Sequence, residues 1–335
     1  MVKLSSGLRA AAVLAVTAAL AAGCLASETS ETVEAESGFD AILNAAKEEG
    51  TVTWYSSLPQ ATTDRLVAAF TEKYGIEVNA VVLASSLLTA RISSEHAAGS
   101  YEVDVLNAAD PVFMKDMMGE GWFATVNADD LPSLQTWPAD YFFEDAYALV
   151  NIQPQGISFN TDKVSAEEVD TWEELLDPKF KGEIFYSDPR VTKSWLVMAD
   201  LLYEELGPEF LSALAEQDLQ VVDSPVSASQ NLAAGSGMVL FSNLRGVVDP
   251  LVEKGAPIGL VFPNPTTGVE QFTAVMQRAP HPNAARLLMD FLLSEDGQKI
   301  MNEKTGSSPR GALEGTLPLP EGYVRADFER ANERQ

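Results

Sequence analysis

Residues 51–83 read TVTWYSSLPQATTDRLVAAFTEKYGIEVNAVVL, and this stretch decides the fold class. The β-branched and aromatic run at 51–55 predicts a strand, and apolar residues that repeat every four positions predict a helix over 62–74. A second run of strand-forming residues follows at 76–83. Two strands that are joined through a helix pair in parallel, because the helix packs back across the face of their sheet.

The same alternation of strands and helices continues along the chain. Further elements of a first unit are predicted as helices at 39–49, 86–96 and 111–119 and as a strand at 103–106. A second unit of the same kind occupies 183–262, and a strand at 272–276 and helices at 282–293 and 295–303 follow. We therefore expect an α/β fold with two lobes, each a mostly parallel sheet flanked by helices. A ligand cleft is expected between the lobes, at the carboxyl ends of the strands.

The N-terminal segment has the layout of an export signal. Lys3 and Arg9 precede an apolar run over 10–22 that is too short to span a bilayer, and Cys24, the single cysteine of the chain, follows small residues. This segment resembles a bacterial lipobox, in which the cysteine becomes the lipidated first residue of the mature protein. Cleavage after Ala26 is the alternative. Both interpretations predict an exported protein, which is either lipid-anchored to the outer face of the cell membrane or periplasmic.

Composition and charge indicate which segments lie outside the folded domain and which partners its surface excludes. We assign 1–23 to a signal peptide and 24–37 to a lipid-anchored, disordered tether, because residues 26–37 (ASETSETVEAES) are rich in Ser, Thr and Glu. The chain has 49 acidic and 22 basic residues and a net charge of -27, so its surface repels nucleic acid. No second apolar run approaches the ~20 residues of a membrane-spanning helix, and we expect a water-soluble body.

The motifs of common enzyme classes are absent from the sequence. No GxGxxG follows a predicted strand, and GxxxxGK[ST], GxSxG and HExxH do not occur. The two histidines, His96 and His281, do not support a histidine-based triad or a three-histidine metal site. We therefore predict no catalytic residues, no cofactor and no enzymatic activity. A secreted enzyme is the alternative from another functional class.

Six segments in a fixed order carry a resemblance to a known family. They are VTWYSS (52–57), ASSLLTARI (84–92), EVDV (102–105), GISFNTDKV (156–164), TWEELLDPKFKG (171–182), and PNAA with FLLSEDGQ (282–285 and 291–298). In these segments the chain resembles the solute-binding proteins of ABC transporters, in the type 2 periplasmic-binding-protein class. The iron(III)-transport, or ferric-binding-protein-like, branch of that class is the most similar.

The resemblance implies a domain organisation and a set of partners. Lobe 1 is expected to comprise 38–152 and 268–335, and lobe 2 to comprise 153–267. The lobes would close on a small solute and present it to the membrane permease of an ABC importer. We expect a monomer that is held near the permease by its lipid anchor.

The sequence departs from the iron-binding members at the positions that matter for metal. Those members coordinate iron with adjacent tyrosines that follow a strand of lobe 2. In this chain the corresponding strand is predicted at 238–241, and Ser242 and Asn243 follow it. The loop after Tyr55 is SSLP and also lacks the family's histidine ligand. Ferric iron is a hard cation that needs several anionic oxygens, which serine and asparagine do not supply. Iron(III) is therefore kept as the alternative ligand.

The predicted loops offer hydrogen-bond donors instead. Serines stand before predicted helix N-termini, where free N–H groups favour an anion, and arginines could hold a carboxylate or phosphate. Tyr55 could stack on a ligand, whereas Asp110 would suit a cation. The predicted ligand-binding residues are Tyr55, Ser56, Ser57, Ser85, Ser86, Asp110, Ser187, Arg190, Ser242, Asn243 and Arg245. A small organic anion is the favoured ligand, cationic and neutral solutes remain open, and an ordinary helix-capping role is the alternative for each serine.

Overall fold

The computed structural model describes residues 38–189 and 193–334. The helices are α1 Phe39–Glu49, α2 Gln60–Tyr74, α3 Ser85–Ala97, α4 Pro111–Gly119, α5 Lys193–Leu206, α6 Pro208–Ala215, α7 Pro225–Ala233, α8 Arg245–Val252, α9 Pro282–Leu293, α10 Glu295–Asn302 and α11 Phe328–Glu333. The strands are β1 Thr51–Ser56, β2 Glu77–Val82, β3 Val105–Ala108, β4 Phe142–Phe143, β5 Tyr147–Asn160, β6 Ile184–Ser187, β7 Gln220–Val222, β8 Val239–Leu244, β9 Ile258–Val261 and β10 Gly268–Val275. In these two ranges no helix combines the length and the apolar character of a membrane span. The predictions for 1–37, including Cys24, and for Arg190 lie outside the described residues.

Most of the predicted helices are confirmed, and their ends have local causes. The bounds of α1, α4 and α9 coincide with those predicted from the sequence. α1 ends at Gly50, whose φ of 71° lies in the left-handed region that favours glycine. α4 begins with Pro111, which needs no hydrogen-bond acceptor, and Asp110 accepts a hydrogen bond from the amide of Phe113 at 3.1 Å.

One continuous sheet runs through the described residues. Its strand order is β2-β1-β3-β10-β5-β8-β6-β7, and β4 and β9 also pair with β5. β1 is parallel to β2 and β3, and β6 is parallel to β7 and β8. β10 and β5 run antiparallel to their neighbours. The predicted α/β fold is confirmed, and the parallel pairing is confined to the outer strands of a mixed sheet.

The long strand β5 joins the two halves of this sheet. From Tyr147 to Pro154 it pairs with β10, and from Gln155 to Asn160 it pairs with β8 and β9. The first strand group therefore consists of β2, β1, β3, β10, β4 and the first half of β5. The second strand group consists of the second half of β5 with β8, β9, β6 and β7. The exchange of partners falls close to the predicted lobe boundary between 152 and 153, and that boundary itself stays a prediction.

Helices cover the sheet with separate apolar cores. In the first strand group, α1, α2 and α9 pack over a core that includes Trp54 and Phe70, while α3 and α4 pack over a second core that includes Leu88 and Met114. In the second group, α5 and α6 cover a core around Trp172, and α7 and α8 cover a smaller one. Because helices occupy the faces, the ends of the strands are where ligands usually reach a sheet of this kind.

The close approach of β5 and β9 can be tested at Gly156. A Cβ at this position would collide with the backbone carbonyl of Val261 on β9. We expect Gly156→Ala to lower the free energy of unfolding by about 1–3 kcal/mol, the usual cost of overpacking. Gly119→Ala is the matched control, because a Cβ there meets nothing within 4 Å. Urea denaturation followed by circular dichroism measures both variants, and equal stability would contradict the packing of β5 on β9.

Candidate ligand-binding site

A first polar cluster, formed by Ser57, Asn107 and Gln271, lies where β1 and β3 approach their carboxyl ends. Ser57 Oγ donates to Gln271 Oε1 at 2.9 Å, and the amide of Ser57 donates to the carbonyl of Asn107 at 3.0 Å. The side chain of Asn107 is fully buried, and neither its Nδ2 nor its Oδ1 has a hydrogen-bond partner among the described residues. This cluster therefore holds an amide with an unused donor and an unused acceptor.

Tyr55 and Ser56, two of the predicted ligand-binding residues, have structural partners. The ring of Tyr55 is 1% exposed, its hydroxyl donates to Glu95 Oε1 at 2.9 Å, and the guanidinium of Arg91 lies 4.7 Å from the ring centroid. Ser56 is fully buried and accepts a hydrogen bond from the amide of Leu58 at 3.2 Å. A ligand would have to displace these contacts to reach either side chain, and their role in binding stays a prediction.

The N-terminus of α3 carries two more predicted residues. Ser85 Oγ accepts a hydrogen bond from the amide of Ala109 at 3.1 Å, which links α3 to the loop before α4, whereas Ser86 is exposed. Ala84 precedes the helix and supplies no side-chain cap. The first N–H groups of α3 thus lack a side-chain acceptor from the capping position. Asp110, which caps α4, uses one carboxylate oxygen for that purpose.

A second polar cluster, formed by Ser187, Ser242, Gln155 and Ser194, lies in the second strand group. Ser187 Oγ donates to the carbonyl of Ser242 at 3.3 Å, and Ser242 Oγ donates to Gln155 Oε1 at 3.5 Å. Gln155 Nε2 donates to the carbonyl of Ser194 at 3.3 Å. All four residues are buried. Because these hydrogen bonds are at the long end of the normal range, they are weak.

Asn243 has a full set of partners in the second strand group. Its Nδ2 donates to Ser158 Oγ at 2.9 Å and to Ser229 Oγ at 2.8 Å, and its Oδ1 accepts from the amide of Leu244 at 2.9 Å. The residue is 1% exposed. The amide therefore fixes the end of β8, and a direct contact with ligand stays a prediction.

Arg245 is the first residue of α8, and its guanidinium is only partly used. Nη1 lies 3.3 Å from Asp249 Oδ1, the side chain is 35% exposed, and the buried Nε has no partner among the described residues. Leu244 supplies no side-chain cap to the helix. Burial raises the pKa of the Asp249 carboxyl, and the charge of Arg245 works in the opposite direction. The guanidinium of Arg245 therefore has N–H groups that can donate to an anion at the end of β8.

Tyr55 and Tyr186 directly precede serines of the predicted site, and the pKa of each phenol is raised. Burial, together with the hydrogen bond to Glu95 and its charge, raises the pKa of Tyr55 to about 12. Burial and the charge of Asp188 raise the pKa of Tyr186 to about 12. Tyr186 stacks on Phe241, with the ring centroids 5.1 Å apart. Within 38–189 and 193–334, no group of three or more His, Cys, Asp or Glu residues is arranged to hold a metal ion.

The family model for the bacterial extracellular solute-binding protein matches residues 51–306. The chain belongs to this family. A similar curated protein, iron uptake protein A1 from Synechocystis, is 26% identical to this solute-binding protein over 293 residues, which are 80% of this chain and 78% of that protein.

Solved structures agree on the fold. The crystal structure of iron-bound HitA from Pseudomonas aeruginosa has a TM-score of 0.64 at 19% identity and covers 84% of this chain and 92% of its own. AfuA from Actinobacillus pleuropneumoniae, with fructose-6-phosphate bound, has a TM-score of 0.64 at 20% identity and covers 85% of this chain and 95% of its own. The predicted type 2 periplasmic-binding-protein fold is confirmed.

Sequence reasoning missed several polar residues of this site. Asn107 could have been found, because it lies near the end of a predicted strand. Gln155 lies in β5, where the sequence predicts a hinge strand near 153–159 but does not mark this residue as part of a site. Gln271 reaches Ser57 from a strand more than 200 positions along the chain. Such a long-range contact is visible only in the folded protein.

The structural role of Asn243 predicts a loss of stability on truncation. Asn243→Ala leaves the buried hydroxyls of Ser158 and Ser229 without this partner, and we expect the free energy of unfolding to fall by about 2–3 kcal/mol. Ser86→Ala, at an exposed serine, should change it by less than about 0.5 kcal/mol. Urea denaturation compares the variants. An Asn243→Ala protein as stable as Ser86→Ala would contradict this network.

The raised pKa of Tyr186 predicts a pH dependence. Above pH 10 the unfolded chain loses the phenol proton that the folded state keeps up to about pH 12, so stability falls as the pH rises through this window. We expect Tyr186→Phe to remove about 1 kcal/mol of the loss between pH 9 and pH 11. Urea denaturation at both pH values measures the difference. Identical pH slopes in the two proteins would contradict a raised pKa.

Proposed function

We propose that this solute-binding protein captures a small organic anion, of the carboxylate or phosphate/phosphonate type, and delivers it to the permease of an ABC importer. Its role is binding without turnover. The two strand groups, each with its helices, would act as the two lobes, with 38–152 and 268–335 on one side and 153–267 on the other. The ligand would lie between the first and the second polar cluster.

The proposal rests mainly on the exposure and the incomplete hydrogen bonding of the Arg245 guanidinium. A guanidinium that is 35% exposed, bound to one carboxylate at 3.3 Å and left with an unpaired Nε has donors to spare. Carboxylates and phosphates match the planar fork of arginine better than neutral solutes do. Arg245 also begins α8, so the free N–H groups and the dipole of that helix favour the same charge.

The first strand group supplies complementary donors. Ser86 is exposed at the start of α3, whose preceding residue Ala84 provides no cap. Ser57 contributes a hydroxyl at the end of β1, and Asn107 an unpaired amide beside it. We propose Ser57, Ser85, Ser86, Arg190 and Arg245 as ligand contacts, with Asn107 added. The other predicted residues would position the loops that contain them. These are Tyr55, Ser56, Asp110, Ser187, Ser242 and Asn243.

Iron(III) is the second candidate, because iron uptake protein A1 and iron-bound HitA are similar to this chain. The local chemistry favours the anion. Ser242 and Asn243 occupy the place of the paired tyrosines and are both 1% exposed. Tyr55 and Tyr186 have a pKa raised to about 12, which opposes formation of the phenolates that a ferric site requires.

The family and the N-terminal sequence support a proposal for the place of action. We propose that the protein works as a monomer outside the cell membrane and is tethered through a lipid on Cys24. A lipid tether would keep the binding protein close to its permease, which raises its effective concentration there.

Arg245 gives the sharpest test of the anion site. Isothermal titration calorimetry with citrate, fructose-6-phosphate and ferric iron as probes should detect binding of a carboxylate or phosphate. We expect Arg245→Ala to weaken that binding by more than tenfold, or about 1.4 kcal/mol, because the bidentate contact is lost. The free energy of unfolding should stay close to that of the parent protein.

Arg286→Ala, at a partly exposed arginine on α9, is the matched control and should bind the probe as the parent does. Equal affinities of the Arg245→Ala and Arg286→Ala proteins would remove Arg245 from the site. Binding of ferric iron alone, with no response to either organic anion, would replace the proposal by the iron alternative.

A further inference from the structure

The C-terminal segment Tyr323–Arg334 is anchored at one end to the first strand group. Glu270 on β10 is 2% exposed and lies two residues after the start of the strand. The hydroxyl of Tyr323 donates to Glu270 Oε1 at 2.7 Å, and Arg325 Nη2 lies 3.4 Å from Glu270 Oε2. The guanidinium of Arg325 also lies 4.6 Å from the ring centroid of Phe143.

The other end of this segment is anchored to α5, which follows β6 in the second strand group. The side chain of Asp200 is 2% exposed, and it accepts from Arg330 Nε at 2.8 Å and from Arg334 Nη1 at 2.7 Å. Arg334 also pairs with Glu204, and its guanidinium lies 4.5 Å from the ring centroid of Tyr203. A buried carboxylate with two short ionic hydrogen bonds is costly to separate from its partners.

Between the two anchors the segment spans an open cavity of about 920 Å³. Residues 325–329 form one wall, and α4 with the rings of Phe143, Tyr147 and Phe272 forms the opposite side. Among the described residues, the ion pair across this gap joins Lys115 to Glu329 at 2.6 Å, with side chains 64% and 62% exposed. Such an exposed pair contributes little. The segment is therefore fastened at its ends rather than along its length.

We propose that Tyr323–Arg334 is a strap that limits how far the two lobes separate. This inference rests on the proposed closure of the lobes about β5. Extended chain covers at most about 3.6 Å per residue, so the five steps from Arg325 to Arg330 span no more than roughly 18 Å even if α11 unwinds. Wider opening requires release of the Glu270 or the Asp200 anchor, so the strap favours the closed, ligand-retaining arrangement.

Double electron–electron resonance between spin labels on the two lobes tests the strap without any ligand. Cys24 is the only cysteine, so Glu72→Cys on α2 and Glu209→Cys on α6 can be labelled in a Cys24→Ser background. We expect Asp200→Asn, which is nearly isosteric and removes the buried charge, to add a longer-distance population that the parent lacks. The double variant Arg330→Ala/Arg334→Ala should do the same.

Lys115→Ala breaks only the exposed pair with Glu329 and should leave the parent distribution unchanged. The Asp200 and arginine variants remove the same contact from opposite sides, so the proposal is judged on whichever folds, as verified by circular dichroism. Parent-like distances in the folded variants would overturn the strap. That result would leave the calorimetric test of ligand binding untouched, since the distances are measured on the unliganded protein.

Discussion

The architecture depends on one strand, β5, whose backbone must be paired on both sides while its partners change. At the point of exchange the ladder cannot supply every hydrogen bond, and nearby groups complete it. The amide of Gln155 donates to the carbonyl of Thr267 at 2.9 Å, and its carbonyl accepts from Thr266 Oγ1 at 2.5 Å. A buried backbone group without a partner would be costly. This requirement places the side chain of Thr266 at the junction of the two strand groups.

The same junction brings two sets of polar side chains to the ends of the strands. Asn107 of the first polar cluster keeps an unpaired amide, and Arg245, three residues after Ser242 of the second cluster, keeps an unpaired Nε. Buried donors and acceptors without partners are rare in folded proteins, and a ligand or an ordered water could complete their bonding. Neither set provides the cluster of anionic oxygens that a ferric ion prefers. The family membership supports capture of a solute, and this donor-rich chemistry favours an organic anion as the proposed solute.

Much of the fold could be predicted from local sequence, and the exceptions have physical causes. Helices such as α1 and α9 have regular apolar faces and clear ends, so their bounds were predictable. β5 contains Pro154 with neighbouring asparagine and glutamine residues, because its surroundings at the junction are polar, and it lacks the alternation of an ordinary strand. α11 is six residues long and is held mainly by Arg330 and Arg334 on Asp200. Of the candidate site, Arg245 could be found because it follows a strand directly, whereas the partners of Ser57 and Asn243 come from distant segments.

Native mass spectrometry of the protein, purified gently after growth in a rich medium, shows which solute it captures. A captured solute survives such purification when its dissociation is slow, and its mass identifies its class. We expect an added mass that corresponds to a small carboxylate or phosphate compound and that is lost in the Arg245→Ala variant. A bound ferric ion without an organic anion, confirmed by elemental analysis, would show that the protein captures iron instead.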